Sequence, residues 1–596
     1  MNIVLATALV ASALNSVTWL QNVRTDSFTV MCEAKSCCDR LQLEYWPTTT
    51  GERKSKRFTY WPTAGGTWIA KARVNIDGHA GETIRYEITS RGKALTDEGS
   101  SGDVRLWGAP DDGEFTAVVW GDNQSGIAAR DWSVDKCATI RGAFSHMMTR
   151  NPDFGLSTGD MAGSGIYESE LRPLLLEVTN PILGHFIPYY VAWGNHDDKF
   201  PGRYFDTRRF FSTGAEDDKR YRFAIADNYY LYRGDVLFIF IDNLSYDFGR
   251  QTLRGWLKRL LKSKQAQDAK FRIVLQHSPV YLEVWADDHV CQQCRDIFND
   301  YRVDLVLSGH MHGCERIACE GDTFIQLTNG GLGYLDHDEN VEANYGDATF
   351  IGGHKDIPYL WARESEPGVL GPAEPVHTSC ISSYTELSAT GDKLTITYHG
   401  FNADGSYIGA FDKFTLTARP RGSFAAPDIS YPDVDYDGST PAPDPEGEWG
   451  MRFVPVGTSG AKIATAPITC EQWAEFQPTV SQSPRTSEFQ TGMSRREAEA
   501  FIAWINNGTD TYRLPTEDEM RELLFFDGAW HDTCEAGEIT EWTSTEDPET
   551  GWCRIMGGNK WASPTTWTSR FDKPAIATPC CFADYLGFRL VKNGRR

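Results

Sequence analysis

A chain of 596 residues is too long for one hydrophobic core and implies about three or four domains. Hydrophobic residues at 41% and aromatics at 12% mark a globular chain, and no stretch reaches the roughly 18–20 apolar residues of a membrane-spanning helix. A net charge of −24 argues against nucleic acid as a partner, because phosphate backbones are held by basic surfaces; the acidity serves solubility, and any phosphate-bearing substrate must be attracted locally.

The chain opens on an apolar run from Ile3 to Leu14, with Ala11-Ser12-Ala13 as a candidate cleavage site and no Lys or Arg before it. It reads either as a signal-peptide core or as a first β-strand. Export to the periplasm or beyond the cell is favoured over the cytoplasm. The 14 cysteines do not settle the compartment. Cys291 and Cys294 have no second pair of metal-binding spacing and read as ordinary thiols. Cys314 and Cys319 would close a small loop if the compartment is oxidising.

Residues 15–105 alternate apolar and polar in short runs, such as Leu41-Gln42-Leu43-Glu44-Tyr45 and Ile84-Arg85-Tyr86-Glu87-Ile88. That period of two predicts a β-sandwich. Over residues 113–418 apolar strands alternate with helical patterns such as Leu253 to Leu261, which predicts an α/β sandwich of sheets flanked by helices. A long polar, Gly-rich insert follows Gly330-Gly331 and runs to about Ser379. Residues 419–447 are rich in Pro, Gly, Asp and Ser and read as a linker to a last domain over residues 448–594.

Five strand-and-loop segments in the α/β region carry metal-binding side chains. They end in Gly121-Asp122, Gly159-Asp160, Gly194-Asn195-His196-Asp197, Gln276-His277 and Gly309-His310-Met311-His312. Singly, each is an ordinary turn or a hydrogen-bonded histidine. Together, each after a short apolar strand, they place two Asp, one Asn and three His on one edge of a sheet, where α/β sites form. Carboxylate, amide oxygen and imidazole suit first-row metals. Two ions roughly 3.5–4 Å apart can clamp the attacking and leaving oxygens of a phosphoryl transfer.

These segments, with His277-Ser278-Pro279-Val280-Tyr281 and Glu315-Arg316 after the last histidine, resemble the calcineurin-like metallophosphoesterases, and more closely their purple-acid-phosphatase-like branch. The resemblance spans roughly residues 15–418 and implies a fibronectin-III-like domain at 15–105. It implies Asp160 as a bridging carboxylate, Asp122 and His312 on one metal, and Asn195, His277 and His310 on the other. His196 would act as general acid toward the leaving-group oxygen or stabilise the transition state, and a metal-bound hydroxide would be the nucleophile. The two ions would be divalent or trivalent: iron, zinc or manganese. Gln124 stands where the wider superfamily has His, as a weak ligand or a neighbour of the ligands. Gly163 stands where the purple enzymes have the tyrosine that gives their colour, which implies a colourless centre. The substrate would be a phosphate monoester or diester. Monoesters call for a further cation, for which Arg316 and the Arg203–Arg209 segment are candidates.

In the last domain Met451 to Gly457, Arg513-Leu514-Pro515-Thr516-Glu517, Glu541-Trp542-Thr543-Ser544 and Gly587-Phe588-Arg589-Leu590 resemble the formylglycine-generating-enzyme family, which has a C-type-lectin-like fold. Ala562 and Trp567 occupy the places of that family's two oxidase cysteines, which implies a binding or structural module instead. Trp561, Ser563, Thr565, Trp567 and Ser569 resemble the variable ligand surface of retroelement-diversified proteins. They suit a protein or glycan ligand, or else the two tryptophans are core. The competing reading of the whole chain is a ligand-binding protein on a degenerate phosphatase scaffold, with Gln124 as the sign of decay. His196 weighs against it, since a non-ligand histidine has no use without catalysis.

Overall fold

The computed structural model describes residues 13–108, 113–123, 138–161, 171–197, 210–212, 228–242, 247–281, 293–319, 322–333, 373–379, 382–401, 404–425, 427–430, 442–476, 489–490, 493, 495–509, 511–524, 540–546, 553–557, 575–577, 582–583 and 586–594. They fall into two compact units: Met1–His277 with Glu386–Leu394, and Ser278–Thr385 with Thr395–Arg596. Among them, no helix is long and apolar enough to cross a membrane, which says nothing of a β-barrel.

The first unit begins with nine strands: β1 (Trp19–Gln21), β2 (Ser27–Ala34), β3 (Leu41–Pro47), β4 (Lys54–Arg57), β5 (Thr59–Pro62), β6 (Trp68–Asn75), β7 (Thr83–Ser90), β8 (Lys93–Ala94) and β9 (Ser101–Arg105). They form two antiparallel sheets, one ordered β1-β2-β6-β5 and one ordered β4-β3-β7-β8 with β9 on β7. Alternation in β3 buries Leu41, Leu43 and Tyr45, and alternation in β7 buries Ile84, Tyr86 and Ile88. Phe28 of one sheet meets Tyr45 of the other edge to face, with centroids 6.1 Å apart. This is the sandwich its sequence alternation predicts.

Next come β10 (Phe115–Trp120), β11 (Phe154–Ser157) and β12 (Tyr189–Val191), paired in parallel. The helices Ala138–Thr149 and Pro173–Gly184, the latter π-wound, make the crossovers. Register aligns Trp120, Ser157 and Val191, so the three following loops leave from one edge. A second sheet holds β13 (Tyr229–Arg233), β14 (Val236–Ile241) and β15 (Phe271–Gln276), with β14 and β15 parallel. Between the sheets Phe238 packs against Phe115 and Phe154, at 5.7 and 5.6 Å. Each such buried ring contributes roughly 1.5–3 kcal/mol relative to exposure.

The sandwich braces this half. Tyr190 donates its hydroxyl to the Val23 carbonyl at 2.8 Å, Gln21 donates to the Tyr189 carbonyl at 3.1 Å, and Arg172 pairs with the buried Glu33 at 2.7 Å. All three contacts secure β12 or the helix that leads to it.

The second unit holds β16 (Leu305–Ser308), β17 (Cys314–Cys319), β18 (Ile325–Asn329) and β19 (Ala373–Ser379). β16 runs parallel to β18, and β17 pairs antiparallel with both β18 and β19. Arg419 anchors the start of β16. Its guanidinium is buried and donates to Asp304 at 2.6 Å and to the carbonyls of Val303 and Thr323 at 3.0 and 2.8 Å. Cys314 and Cys319 sit at opposite ends of β17, roughly 16 Å apart at the rise of an extended strand, so the loop-closing disulfide expected in an oxidising compartment is not formed.

β20 (Ser382–Thr390), β21 (Lys393–Phe401) and β22 (Tyr407–Thr417) follow. Inside the stretch read as a linker, β23 (Asp428–Ser430) pairs antiparallel with β22, Ile429 opposite Leu416. A three-residue edge strand needs so little apolar sequence that composition did not reveal it.

The last segment contains β24 (Phe453–Val456), β25 (Ala461–Ala464), β26 (Tyr512–Arg513), β27 (Thr540–Glu546), β28 (Cys553–Gly557), β29 (Ala575–Ala577), β30 (Phe582–Ala583), β31 (Leu586–Gly587) and β32 (Val591–Lys592). They make two small sheets, β24-β25-β32-β26 and β29-β28-β27-β31, while β30 joins β19 in parallel. Helix Arg495–Asn506 buries Ala498, Phe501, Ile502 and Ile505, the i, i+3, i+4, i+7 stripe of an amphipathic helix. Phe501 stacks on Trp473 at 5.4 Å.

Candidate metal centre

The loops after β10, β11 and β12 are built around strained backbone. Asp122 and Asp160 have φ of 51° and 53°, in the left-handed region that few non-glycine residues occupy. Such residues cost on the order of 1–3 kcal/mol each and persist where the surroundings over-determine them. The determining contacts are present. Asp122 donates its N–H to the Gly159 carbonyl at 2.9 Å. Asp197 accepts from the N–H groups of Asp160, Met161 and Gly194 at 2.8, 2.8 and 2.9 Å, tying the second loop to the third. Sequence reasoning gave Asp197 no role. Its position three residues after Gly194 was the available signal, since an Asp there can turn back on its own loop.

Two glycines permit this approach. At Gly159, φ 108°, a Cβ would lie 2.7 Å from the Gly194 nitrogen and 2.8 Å from His277 Nδ1. At Gly194 it would lie 2.0 Å from Asp160 Oδ1 and 2.5 Å from the Asp160 nitrogen. The Gly194→Ala chain is therefore expected to lose about 1–3 kcal/mol of stability by overpacking. It should also lose bound metal, which denaturant unfolding and elemental analysis check together.

His277 follows β15 and is fully buried. Its Nδ1–H donates to the Thr158 carbonyl at 2.9 Å, which turns Nε2 toward Asn195 Oδ1 at 2.9 Å and Asp160 Oδ2 at 3.3 Å. In this tautomer an imidazole lone pair, an amide oxygen and a carboxylate oxygen face one another. A second proton on His277 or a metal ion satisfies such a set. A backbone carbonyl behind the far nitrogen is how metal-binding histidines are oriented. Asp160 and His277 offer ligand atoms within 4.8 Å of each other.

The electrostatics agree. Burial pushes the His277 imidazole down, but the charges of Asp160 and Asp122 and the Asp160 hydrogen bond push it up to about 10. Burial pushes the Asp160 carboxyl up, but His277 and His196 hold it well below the usual carboxylate range. Burial and the Asp160 charge push Asp197 up to about 7. The buried carboxylate of Asp160 thus draws positive charge to this point.

His196 contributes its N–H to Asp160 Oδ1 at 2.8 Å, and its ring Nε2 stands 3.9 Å from Asp160 Oδ2. The first unit thus brings together Asp160, Asn195, His196 and His277 at one point, with Asp122 linked to the same loop.

In the second unit His310 and His312 follow β16, His310 half-buried and His312 buried. Met311 donates its N–H to the Gly309 carbonyl and Gly313 donates to the Met311 carbonyl, both at 2.9 Å. Two three-residue turns are thus centred on His310 and His312. With φ 73°, His310 occupies the rare, strained γ-turn conformation. Arg316, the other candidate cation, is fully buried with its guanidinium 4.3 Å from the Phe414 ring centroid. Gln124, Gly163, the Arg203–Arg209 segment and the five module residues Trp561, Ser563, Thr565, Trp567 and Ser569 lie outside the described residues.

Residues 116–314, from β10 to the start of β17, match the family model of the calcineurin-like phosphoesterases. The chain carries a calcineurin-like phosphoesterase domain. No curated protein sequence matches the chain. Among solved structures, the purple acid phosphatase PPD1 of yellow lupin (Lupinus luteus) seeds is similar at 14% identity over 69% of this chain and 78% of its own, with a TM-score of 0.48. GAP50 of Plasmodium, the anchor in the inner membrane complex, is similar at 16% identity over 52% of this chain and 90% of its own, TM-score 0.35. Vacuolar Protein Sorting 29 of Cryptosporidium parvum is similar at 10% identity over 51% of this chain and the whole of its own, TM-score 0.24. The phosphoesterase domain supports metal-dependent hydrolysis of phosphate esters and divalent metal cofactors.

Proposed function

We propose that this chain is a phosphoesterase with a two-ion centre. Asp160 would be held in common by the two ions, Asp122 and His312 would complete one site, and Asn195, His277 and His310 would complete the other. Within the first unit Asp160 and His277 offer mutually close ligand atoms, which supports this assignment. The observation that carries the reading is the orientation of His277, whose bond to Thr158 leaves Nε2 facing the oxygens of Asn195 and Asp160, a donor set that suits a metal ion. When bound, the ions would supply charge against the phosphoryl oxygens and a water acidic enough to ionise near neutral pH. Asp197 keeps the Asp160 and Gly194 loops in register, the glycines admit the close approach, and His196 supplies a proton to the leaving oxygen.

The amino-terminal sandwich is proposed as fibronectin-III-like. The last segment is proposed as a formylglycine-generating-enzyme-like module of C-type-lectin fold, with a ligand surface around Trp561 and Trp567.

Elemental analysis of the purified chain, with hydrolysis of nitrophenyl phosphate as monoester and diester on the same sample, tests the centre. About two ions per chain, with turnover abolished by chelator and restored by zinc, manganese or iron, is the expected result and ranks the two ester classes. One ion or none, with no turnover under any of these metals, favours the ligand-binding protein on a degenerate scaffold.

A further inference from the structure

Met311 lies between the two histidines of the last motif and is fully buried. It does not belong to the core of the phosphoesterase segment. It is a member of the hydrophobic cluster formed by Trp473, Phe501, Trp504, Trp542 and Phe588 of the carboxy-terminal segment. Among the described residues of that cluster it is the one member from outside residues 442–590. A second junction in the same unit is β30, which adds to β19 in parallel through His377 opposite Phe582 and Thr378 opposite Ala583. The carboxy-terminal segment is thus joined to the phosphoesterase sheet at its edge and at its histidine loop.

The loop needs such an anchor. Met311 is shared by the turns centred on His310 and His312, donating into the first and accepting from the second. A three-residue turn with positive φ at a non-glycine residue relaxes unless its surroundings hold it. This backbone makes hydrogen bonds within residues 309–313, and the Gly330 N–H donates to the Gly313 carbonyl at 3.0 Å. The side chain that leaves the loop for a packed core is Met311. An unbranched thioether side chain suits a socket lined by aromatic rings.

We propose that the carboxy-terminal segment is the fixture of the metal centre, and that Met311 is a positioning residue whose burial in that segment's core holds His310 and His312 in ligand geometry. The inference rests on the reading of these histidines as metal ligands. It adds that the state of the carboxy-terminal core and the affinity for metal are coupled, and coupling between two sites is reciprocal.

The test uses the full chain with zinc as the probe, and reads zinc affinity by chelator competition and amide hydrogen exchange of helix Arg495–Asn506 with and without zinc. Met311→Ala is expected to weaken zinc binding by about ten- to a hundredfold, the usual cost of removing a group that orients a ligand. Met311→Leu, which keeps the volume, should stay within about threefold of the original chain. Zinc should slow exchange of the helix amides in the original chain and in Met311→Leu but not in Met311→Ala, a response that general destabilisation does not produce. If Met311→Ala does not fold, Met311→Val is read by the same two measurements. Unchanged zinc affinity and unchanged zinc-dependent protection in the truncated variant overturn the coupling while leaving the two-ion reading intact. An original chain that binds no zinc, manganese or iron overturns both.

Discussion

Replacing His196 by Ala is expected to lower kcat for phosphate-ester hydrolysis by about 10²–10⁴-fold, the range supplied by a positioned general acid. Metal content should not change. The imidazole is nearly buried, and the His196 backbone N–H donates to the Asp160 carboxylate, so the residue is tied to Asp160 through its backbone. Its ring Nε2 stands 3.9 Å from Asp160 Oδ2, beyond hydrogen-bond reach. On the proposed reading, a proton on that ring would serve the leaving oxygen of an ester. The loss should therefore be larger for an alkyl phosphate, whose leaving group needs the proton, than for a nitrophenyl phosphate, whose leaving group does not. Equal loss on both substrates would remove the acid role, and loss of metal would make His196 a ligand. Elemental analysis beside kcat on the two esters separates these results.

The second large effect concerns stability. Arg589 and Glu541 form a fully buried bidentate pair, with Nε to Oε2 at 2.7 Å and Nη2 to Oε1 at 2.6 Å. Nη1 also donates to the carbonyls of Ala464 and Thr465 at 3.1 Å each. The pair therefore ties β27, β25 and the strand end before β32 around one guanidinium. Glu541→Leu leaves that cation buried without its partner and is expected to cost about 3–5 kcal/mol. In a unit of this size the apparent melting transition should fall by roughly 10 °C. The double variant Glu541→Leu with Arg589→Met should recover most of the loss, since replacing both members of a buried pair by apolar groups is near neutral. Calorimetry of the two variants checks this. A double variant as unstable as the single one would show that the carbonyl contacts, rather than the charge pair, hold the strands.

Much of the candidate site was legible in the linear chain because its signals are local. Short apolar strands mark β10, β11, β12, β15 and β16, and the loop after each leaves from a sheet edge whatever surrounds it. The alternation of β3 and β7 likewise stated which side chains face inward. The role of Asp197 was not legible, because three backbone donors from two loops meet at it only when β11 and β12 are paired. The strand β23 was hidden because a short edge strand can be polar, and composition reports polarity before it reports pairing.

The sequence by itself determined the types of the candidate ligands, their order along the chain and the strand ends that carry them, because each depends on residues a few positions apart. Tertiary structure alone decided which nitrogen of His277 faces the oxygens, since the Thr158 carbonyl that chooses it is 119 residues away. It also decided that Arg316 lies over Phe414 and that Met311 is buried in a core drawn from residues 442–590. Periodicity says that a side chain is apolar and inward, but the core that receives it is set by long-range packing, which no local pattern encodes.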